Sequence, residues 1–282
     1  MRHPEWIKVK LSGTHKTKSM LRHYRLSTVC EEARCPNQGC CFSKSTVTFM
    51  ILGDRCTRNC SFCAVKHAAP FHPDFDEPGR VAEASRFLGL RYVVITSVTR
   101  DDLPDGGAGQ FALTIEALRK KNPGIKVEVL TPDFKGEVFA LRAVLDACPD
   151  VFNHNIETIQ RLYPAVRPQS DYRRSLDVLK IAKTLYPHIK TKSGFMLGLG
   201  EREHEVIFMM EDLSAEADCD FLTIGQYLRP RKTSIPVVEY VKPEIFERYK
   251  DIALKMGFKT VASGPLVRSS MTAEEMYQNV RI

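Results

Sequence analysis

Residues 51–65 read ILGDRCTRNCSFCAV. An apolar, β-branched run over 47–52 breaks at Gly53-Asp54 and leads at once into Cys56, Cys60 and Cys63, spaced C-x3-C-x2-C. A strand that empties into a loop of three thiols places soft ligands at its C-terminal end, where (β/α) folds carry their chemistry. Three thiolates on one loop can converge on one soft metal centre. They complete neither a tetrahedral zinc site nor all four irons of a [4Fe–4S] cluster, and a vacant ligand position separates a catalytic metal from a structural one. A zinc loop completed by a distant histidine is the competing reading.

Outward from this loop the chain alternates. Strands are expected at 47–52, 92–95, 126–130, 151–154, 190–196 and 221–224, with helices at 80–88, 110–119, 137–147, 171–185 and 203–217. A last helix over 243–256 leads to a short strand near 259–262. Strands alternating with helices of this length build βαβ units on a parallel sheet. Six units suit a partial (β/α)6 TIM-like barrel over 47–262, with extensions at 1–46 and 263–282. Polar or glycine-rich clusters follow the strands: Gly53-Asp54-Arg55-Cys56, Thr96-Ser97 with Arg100-Asp101-Asp102, Asn153-Asn155-Glu157, Gly198-Gly200-Glu201 and Gly225-Gln226. A purely structural barrel does not require them.

The 282 residues, 43% hydrophobic and 27% charged, exclude a disordered chain, and no apolar run approaches a membrane span. The opening MRHPEWIKVKL lacks an apolar segment, so no secretory signal is expected. The net charge of +7 suits an acidic protein partner or nucleic acid, although no concentrated Lys/Arg block marks a nucleic-acid arm. Nine cysteines are an odd number, too few for a disulfide scaffold. A reducing compartment, the cytoplasm, is expected, where clustered cysteines bind metal or do catalysis. A second set upstream, Cys30-x4-Cys35-x5-Cys41, reads either as another cluster site or as a zinc knuckle. Cys148 and Cys219 are expected to be core thiols at helix ends.

The three-cysteine loop, with Phe62 between its last two thiols, resembles the signature of the radical S-adenosylmethionine (SAM) superfamily. Ordered blocks narrow the resemblance to the lipoyl synthase family: TVCEEARCPNQGCC, ILGDRCTRNCSFCAV, RDDLPDGGA, VEVLTPDFKG, DVFNHNIET, TKSGFMLGLGE, LTIGQYLRP and SGPLVRSS. The resemblance implies two [4Fe–4S] clusters and SAM. Cys56, Cys60 and Cys63 would hold the radical cluster; Cys30, Cys35, Cys41 and Ser270 would hold an auxiliary cluster that donates sulfur. The substrate would be an octanoyl-lysine on a lipoyl carrier domain, of a 2-oxoacid dehydrogenase E2 or a glycine cleavage H protein, with sulfur inserted at C6 and C8. A ferredoxin- or flavodoxin-type electron donor and an iron–sulfur carrier for repair are implied; nucleic acid and membrane are not. Phe62 and Thr96 are expected at the cofactor. Asn153, Asn155 and Glu157 suit its ribose, although Glu157 could equally cap a helix. Arg167 is expected at the cofactor carboxylate, with Lys192 and Ser193 facing the same end. Gly106-Gly107 either approaches the cofactor or forms a turn.

The sequence departs from the family pattern at Cys40, Thr99, Ser234, Met271 and Thr272. Cys40 is expected to point away from Cys41, because neighbouring side chains in an extended segment diverge. Alternative readings are a methylthiotransferase acting on transfer RNA, which would need a nucleic-acid module, and a zinc-binding adaptor.

Overall fold

A computed structural model of the chain describes residues 4–8, 14–44 and 46–280. They form two compact units. One gathers the described residues of Val9–Asn59 and Ala64–Phe152, the other those of Met1–Lys8, Cys60–Cys63 and Asn153–Ile282.

The first of these runs α1 (His15–His23), β1 (Ser27–Thr28), α2 (Val29–Glu32), α3 (Gln38–Ser43), β2 (Thr48–Ile51), β3 (Arg55–Cys56), β4 (Lys66–His67), α4 (Glu77–Leu88), β5 (Tyr92–Ser97), α5 (Ala108–Lys121), β6 (Lys126–Leu130) and α6 (Val138–Asp146). β7 (Val151–Asn153) leads out of it. β2, β5 and β6 are parallel, with Met50 opposite Thr96 and Ile95 opposite Val129. Every residue of β2 is buried, as is β5 from Tyr92 to Thr96. Strands covered on both faces need such continuous apolar runs rather than alternation. α5 buries Phe111, Thr114, Ile115 and Leu118 at helical spacing and packs on α4.

The second unit runs α7 (Tyr163–Val166), α8 (Tyr172–Leu185), β8 (Lys190–Leu197), α9 (Glu203–Glu211), β9 (Phe221–Gln226), α10 (Pro243–Lys255), β10 (Thr260–Gly264) and α11 (Ala273–Gln278). β8, β9 and β10 are parallel, with Gly194 opposite Thr223 and Thr223 opposite Ala262. Their N-terminal ends are tied by Asp220, which takes Lys183 Nζ at 2.6 Å, Lys259 Nζ at 2.5 Å and the Thr191 N–H at 2.9 Å. Burial opposes ionisation of Asp220, yet the two ammonium groups hold its carboxyl below the usual carboxylate range.

The expected alternation from 47 to 262 is present. The expected helix 203–217 ends as α-helix at Glu211 and continues as a π-turn over Asp212–Glu216. The N-terminal extension contains α1, α2 and α3. Cys219 is buried as expected, but Cys148 is exposed. The turn after α6 is left-handed at Cys148 (φ 53°) and its carbonyl is held by Arg119, so the thiol faces outward.

Candidate active site

The chain leaves β2 through two left-handed residues, Leu52 (φ 66°) and Gly53 (φ 87°). The Glu77 carboxylate accepts the Leu52 N–H at 2.8 Å and a Gln110 amide N–H at 3.1 Å, and fixes this reversal. A Cβ on Gly107 would collide with Leu52, and one on Gly106 would lie 3.0 Å from Phe134. Both glycines are left-handed (φ 62° and 90°). Gly106-Gly107 is therefore a turn forced by close packing.

The reversal delivers Cys56, whose Sγ accepts N–H groups from Arg58 at 3.4 Å and Thr99 at 3.3 Å. Arg58 is almost fully buried and forks onto two carboxylates. It reaches Asp101 at 2.7 and 2.9 Å and Asp133 at 3.0 and 2.7 Å. Burial alone would lower its basicity, but the two carboxylates more than offset this and raise it. Arg100 forks onto Asp102 at 2.9 and 2.8 Å. The Arg100-Asp101-Asp102 cluster thus braces the loop through ion pairs. Thr96 is buried and its hydroxyl donates to the Leu130 carbonyl at 2.8 Å, which leaves only its lone pairs for a ligand.

Upstream, Cys30 lies on α2, Cys35 in the following turn and Cys41 on α3. Burial pushes the Cys30 thiol up to about 12 and the Cys41 thiol up to about 11. Cys35 raises both further, so the three thiols lie within each other's electrostatic reach. Thiols held in this state become ligands by losing a proton to a bound metal. Cys40 is exposed while Cys41 is half-buried. They diverge as expected, but for a different reason: both lie on α3, where neighbours are rotated by about 100° rather than alternating across a strand.

In the other unit, Ser61 pins the segment of Cys60 and Cys63. Its N–H bonds Val166 O at 3.0 Å, its hydroxyl bonds Ala165 O at 2.7 Å, and its carbonyl accepts the Ile235 N–H at 2.9 Å. Phe62 packs on Val166, Leu199 and Tyr227. Beyond β7 lies a polar constellation. Asn155 donates to Glu157 Oε1 at 3.1 Å and accepts the Ser269 hydroxyl at 2.6 Å. Glu157 is left-handed (φ 65°) and bridges to Phe195, and no helix begins there, so the capping reading falls. Burial holds its carboxyl above the usual range; Arg167 and Asn155 partly oppose this. Arg167 Nη1 donates to Asn155 O at 3.0 Å and Tyr163 Oη at 3.2 Å, which supports the Asn155–Glu157 loop from behind. Asn153 and Lys192 are fully buried. Lys192 is in register with Phe221, the first residue of β9, so it and Ser193 sit near the entry of β8 rather than its exit. Ser193 is engaged by the backbone of His154 and Ile156.

The C-terminal Arg268-Ser269-Ser270 crosses these strands. A Cβ on Gly225 would run into the Val267 carbonyl, and one on Gly194 into Thr223 Oγ1 and within 2.9 Å of Ser269 Oγ. The glycine near the end of β9, Gly225, thus serves close passage of this segment. Ser269 anchors the turn through Asn155. Ser270 is half-buried, and its hydroxyl takes no hydrogen bond among the described residues.

The Radical SAM superfamily model matches residues 50–213, more than half of the chain. A lipoyl synthase of Caldanaerobacter subterraneus subsp. tengcongensis is 58% identical over 276 residues, 97% of this chain and 96% of that one. The chain belongs to the lipoyl synthase family. A second lipoyl synthase, of Rubrobacter xylanophilus, is 56% identical over 99% of this chain and 87% of its own length. A crystal structure of methylornithine synthase is similar at 13% identity and a TM-score of 0.56, over 76% of this chain and 69% of that one. That likeness shows the fold, the partial (β/α) barrel of the radical SAM type.

As a member of the lipoyl synthase family the chain is an enzyme, a radical SAM sulfurtransferase, and membership implies a [4Fe–4S] cluster and SAM. Among the described residues no three His, Cys, Asp or Glu side chains are gathered tightly enough to hold a metal as they stand. The donors nonetheless fit a cluster. They are soft thiols, and Cys56 Sγ already accepts the kind of N–H hydrogen bonds that tune cluster sulfurs. No helix among the described residues is long and apolar enough to cross a membrane. Sequence reasoning missed Arg58 and Asp133, whose one signal was a charged residue inside the cysteine loop, and Thr223, which had no signal; Ser269 was quoted in the SGPLVRSS block, but its bond to Asn155 was not foreseen.

Proposed function

We propose that this enzyme inserts two sulfur atoms, at C6 and C8 of a protein-bound octanoyl-lysine, and so makes the lipoyl group in the cytoplasm. Two SAM molecules are cleaved to 5′-deoxyadenosine and methionine, and a second [4Fe–4S] cluster donates the sulfur. The observation that carries this reading is the second cysteine set, Cys30, Cys35 and Cys41, beside the radical motif in a chain 58% identical to a lipoyl synthase.

When bound, the radical cluster and SAM together supply a 5′-deoxyadenosyl radical, which an unactivated C–H bond requires because it has no acidity for a base to exploit. Cys56, Cys60 and Cys63 hold that cluster, and Arg58 with Asp101 and Asp133 keeps the Cys56 loop in place. Asn155 and Glu157 bind the cofactor ribose, with Asn153 beside them, and Arg167 orients their loop. Phe62 and Thr96 line the cofactor, and Lys192 supports it from within β8. Residues 1–46 bring the auxiliary thiols and residues 263–282 bring Ser270, whose unengaged hydroxyl is the fourth ligand. A hard oxygen on an iron that prefers sulfur is a weakly held ligand, suited to a cluster that must come apart. The carrier is the lipoyl domain of a 2-oxoacid dehydrogenase E2 or a glycine cleavage H protein. A ferredoxin or flavodoxin supplies electrons, and an iron–sulfur carrier rebuilds the spent cluster.

The test is iron and sulfide content after anaerobic purification of the wild type and of a Cys30→Ala/Cys35→Ala/Cys41→Ala variant. About eight irons per chain falling to about four supports two clusters. About four in both leaves a radical enzyme without its sulfur source, and zinc in place of iron overturns the reading.

A further inference from the structure

No Asp or Glu occurs between Glu5 and Glu31, whereas Lys16, Lys18, Arg22 and Arg25 fall in that stretch. α1 forms there. It buries Thr17, Met20 and Leu21, an i, i+3, i+4 face, and exposes His15, Lys16, Ser19, Arg22 and His23, with Lys18 half-buried between them. Arg25 is exposed just beyond it.

Arg22 and His23 in the last turn suit the helix macrodipole, but the first turn does not follow the local rules of helix formation. The first turn holds no acid, Thr14 makes no side-chain cap bond, and His15 and Lys16 stand where the helix macrodipole disfavours positive charge. A helix packed on its inner face, whose first turn breaks local preference and whose own stretch of chain holds no acid to answer its basic outer face, is expected to meet that charge complement elsewhere. An anionic surface laid over the first turn would offset its charge mismatch.

The position of α1 narrows what that surface is. Thr17 Oγ1 donates to the Phe42 carbonyl at 2.9 Å, which seats α1 on α3 one residue from Cys41. Lys44, exposed at the end of α3, extends the positive surface. α1 therefore lies with its buried face against the helix that carries Cys41, and its basic face is the outer surface of that pair. No Phe, Tyr or Trp is among the exposed residues of α1, and its two exposed rings, His15 and His23, stand at opposite ends of the helix, too far apart for successive nucleobases to stack on both.

We propose that the outer face of α1, with Lys16, Lys18, Arg22 and Arg25, docks the acidic face of the protein domain that carries the octanoyl-lysine. This rests on the proposed substrate. Docking here anchors the carrier beside the thiols assigned to the sulfur donor. Charge pairing at such a rim raises the association rate and is weakened by salt.

The test compares the wild type with a Lys16→Glu/Lys18→Glu/Arg22→Glu variant, and with the milder Lys16→Gln/Arg22→Gln variant in case the reversal impairs folding. The probes are an octanoylated acidic carrier domain, a short octanoyl-lysine peptide and a single-stranded RNA. Carrier affinity is expected to fall about tenfold on charge reversal and to lose most of its salt dependence, with a smaller fall in the neutral variant. Peptide turnover is expected to be unchanged. Carrier affinity that does not move, or peptide turnover that falls in step with it, overturns the proposal. Loss of RNA binding alone also overturns it and assigns the surface to nucleic acid. Peptide turnover by the wild type tests the enzyme reading separately, since the peptide needs no docking surface.

Discussion

Arg58 is a single side chain on which the radical-cluster loop depends. Its guanidinium is shared between Asp101 and Asp133, the latter fully buried, while its own N–H reaches Cys56 Sγ. Only a planar fork can serve two carboxylates at once. Arg58→Met leaves two acids facing one another without a cation and is expected to cost about 3 kcal/mol. Arg58→Met/Asp133→Asn is expected to recover part of that, because one of the stranded charges is gone. Denaturation midpoints of the three proteins check this. A double variant no more stable than Arg58→Met would show that packing, not charge, sets the cost.

At the scale of elements, the strand ends matter as much as the strands. The C-terminal segment that presents Ser270 passes so close to β9 that position 225 admits no Cβ. Gly225→Ala must move the Val267 backbone, since a carbonyl cannot rotate away as a flexible side chain can. A loss of about 2 kcal/mol is expected, or roughly 4 °C in a chain of this size. Hydrogen exchange is expected to quicken across 265–272 and to stay slow in β8. Slow exchange throughout would mean that the turn adapts in place. The N-terminal helices follow a different logic: α1 is held by one apolar face and one hydroxyl, and its outer face is left to charge.

Over the whole molecule, the ties at the strand entries are electrostatic and respond to pH. The Asp220 carboxyl titrates lower in the folded chain than unfolded, so its contribution is present above the unfolded value and lost as pH falls through the folded one. Asp220→Asn is expected to lower the urea midpoint fully at pH 7, and the gap from the wild type is expected to close below about pH 4. A gap that stays constant down to pH 3 would assign the loss to packing instead.

The order of strands and helices from 47 to 262 was legible because parallel strands and their covering helices write their burial as runs and periods, as in Tyr92–Ser97 and Ala108–Lys121. The two cysteine sets were legible because thiols grouped at short spacing are rare and have few uses. Three features were not. α3 has no apolar period, so the reason for the divergence of Cys40 and Cys41 had to come from its helical backbone. Arg58 and Asp133 are 75 residues apart, and only folding makes them partners. Ser269 and Ser270 are neighbours of one kind, and sequence could not show that the first is spent on Asn155 while the second keeps its hydroxyl unengaged. Local chemistry determined the alternation of strands and helices over residues 47–262; long-range packing decided which side chains are left over for the reaction. The physical reason is that hydrogen-bond partners across a fold are set by where strands end, and no local pattern encodes that distance.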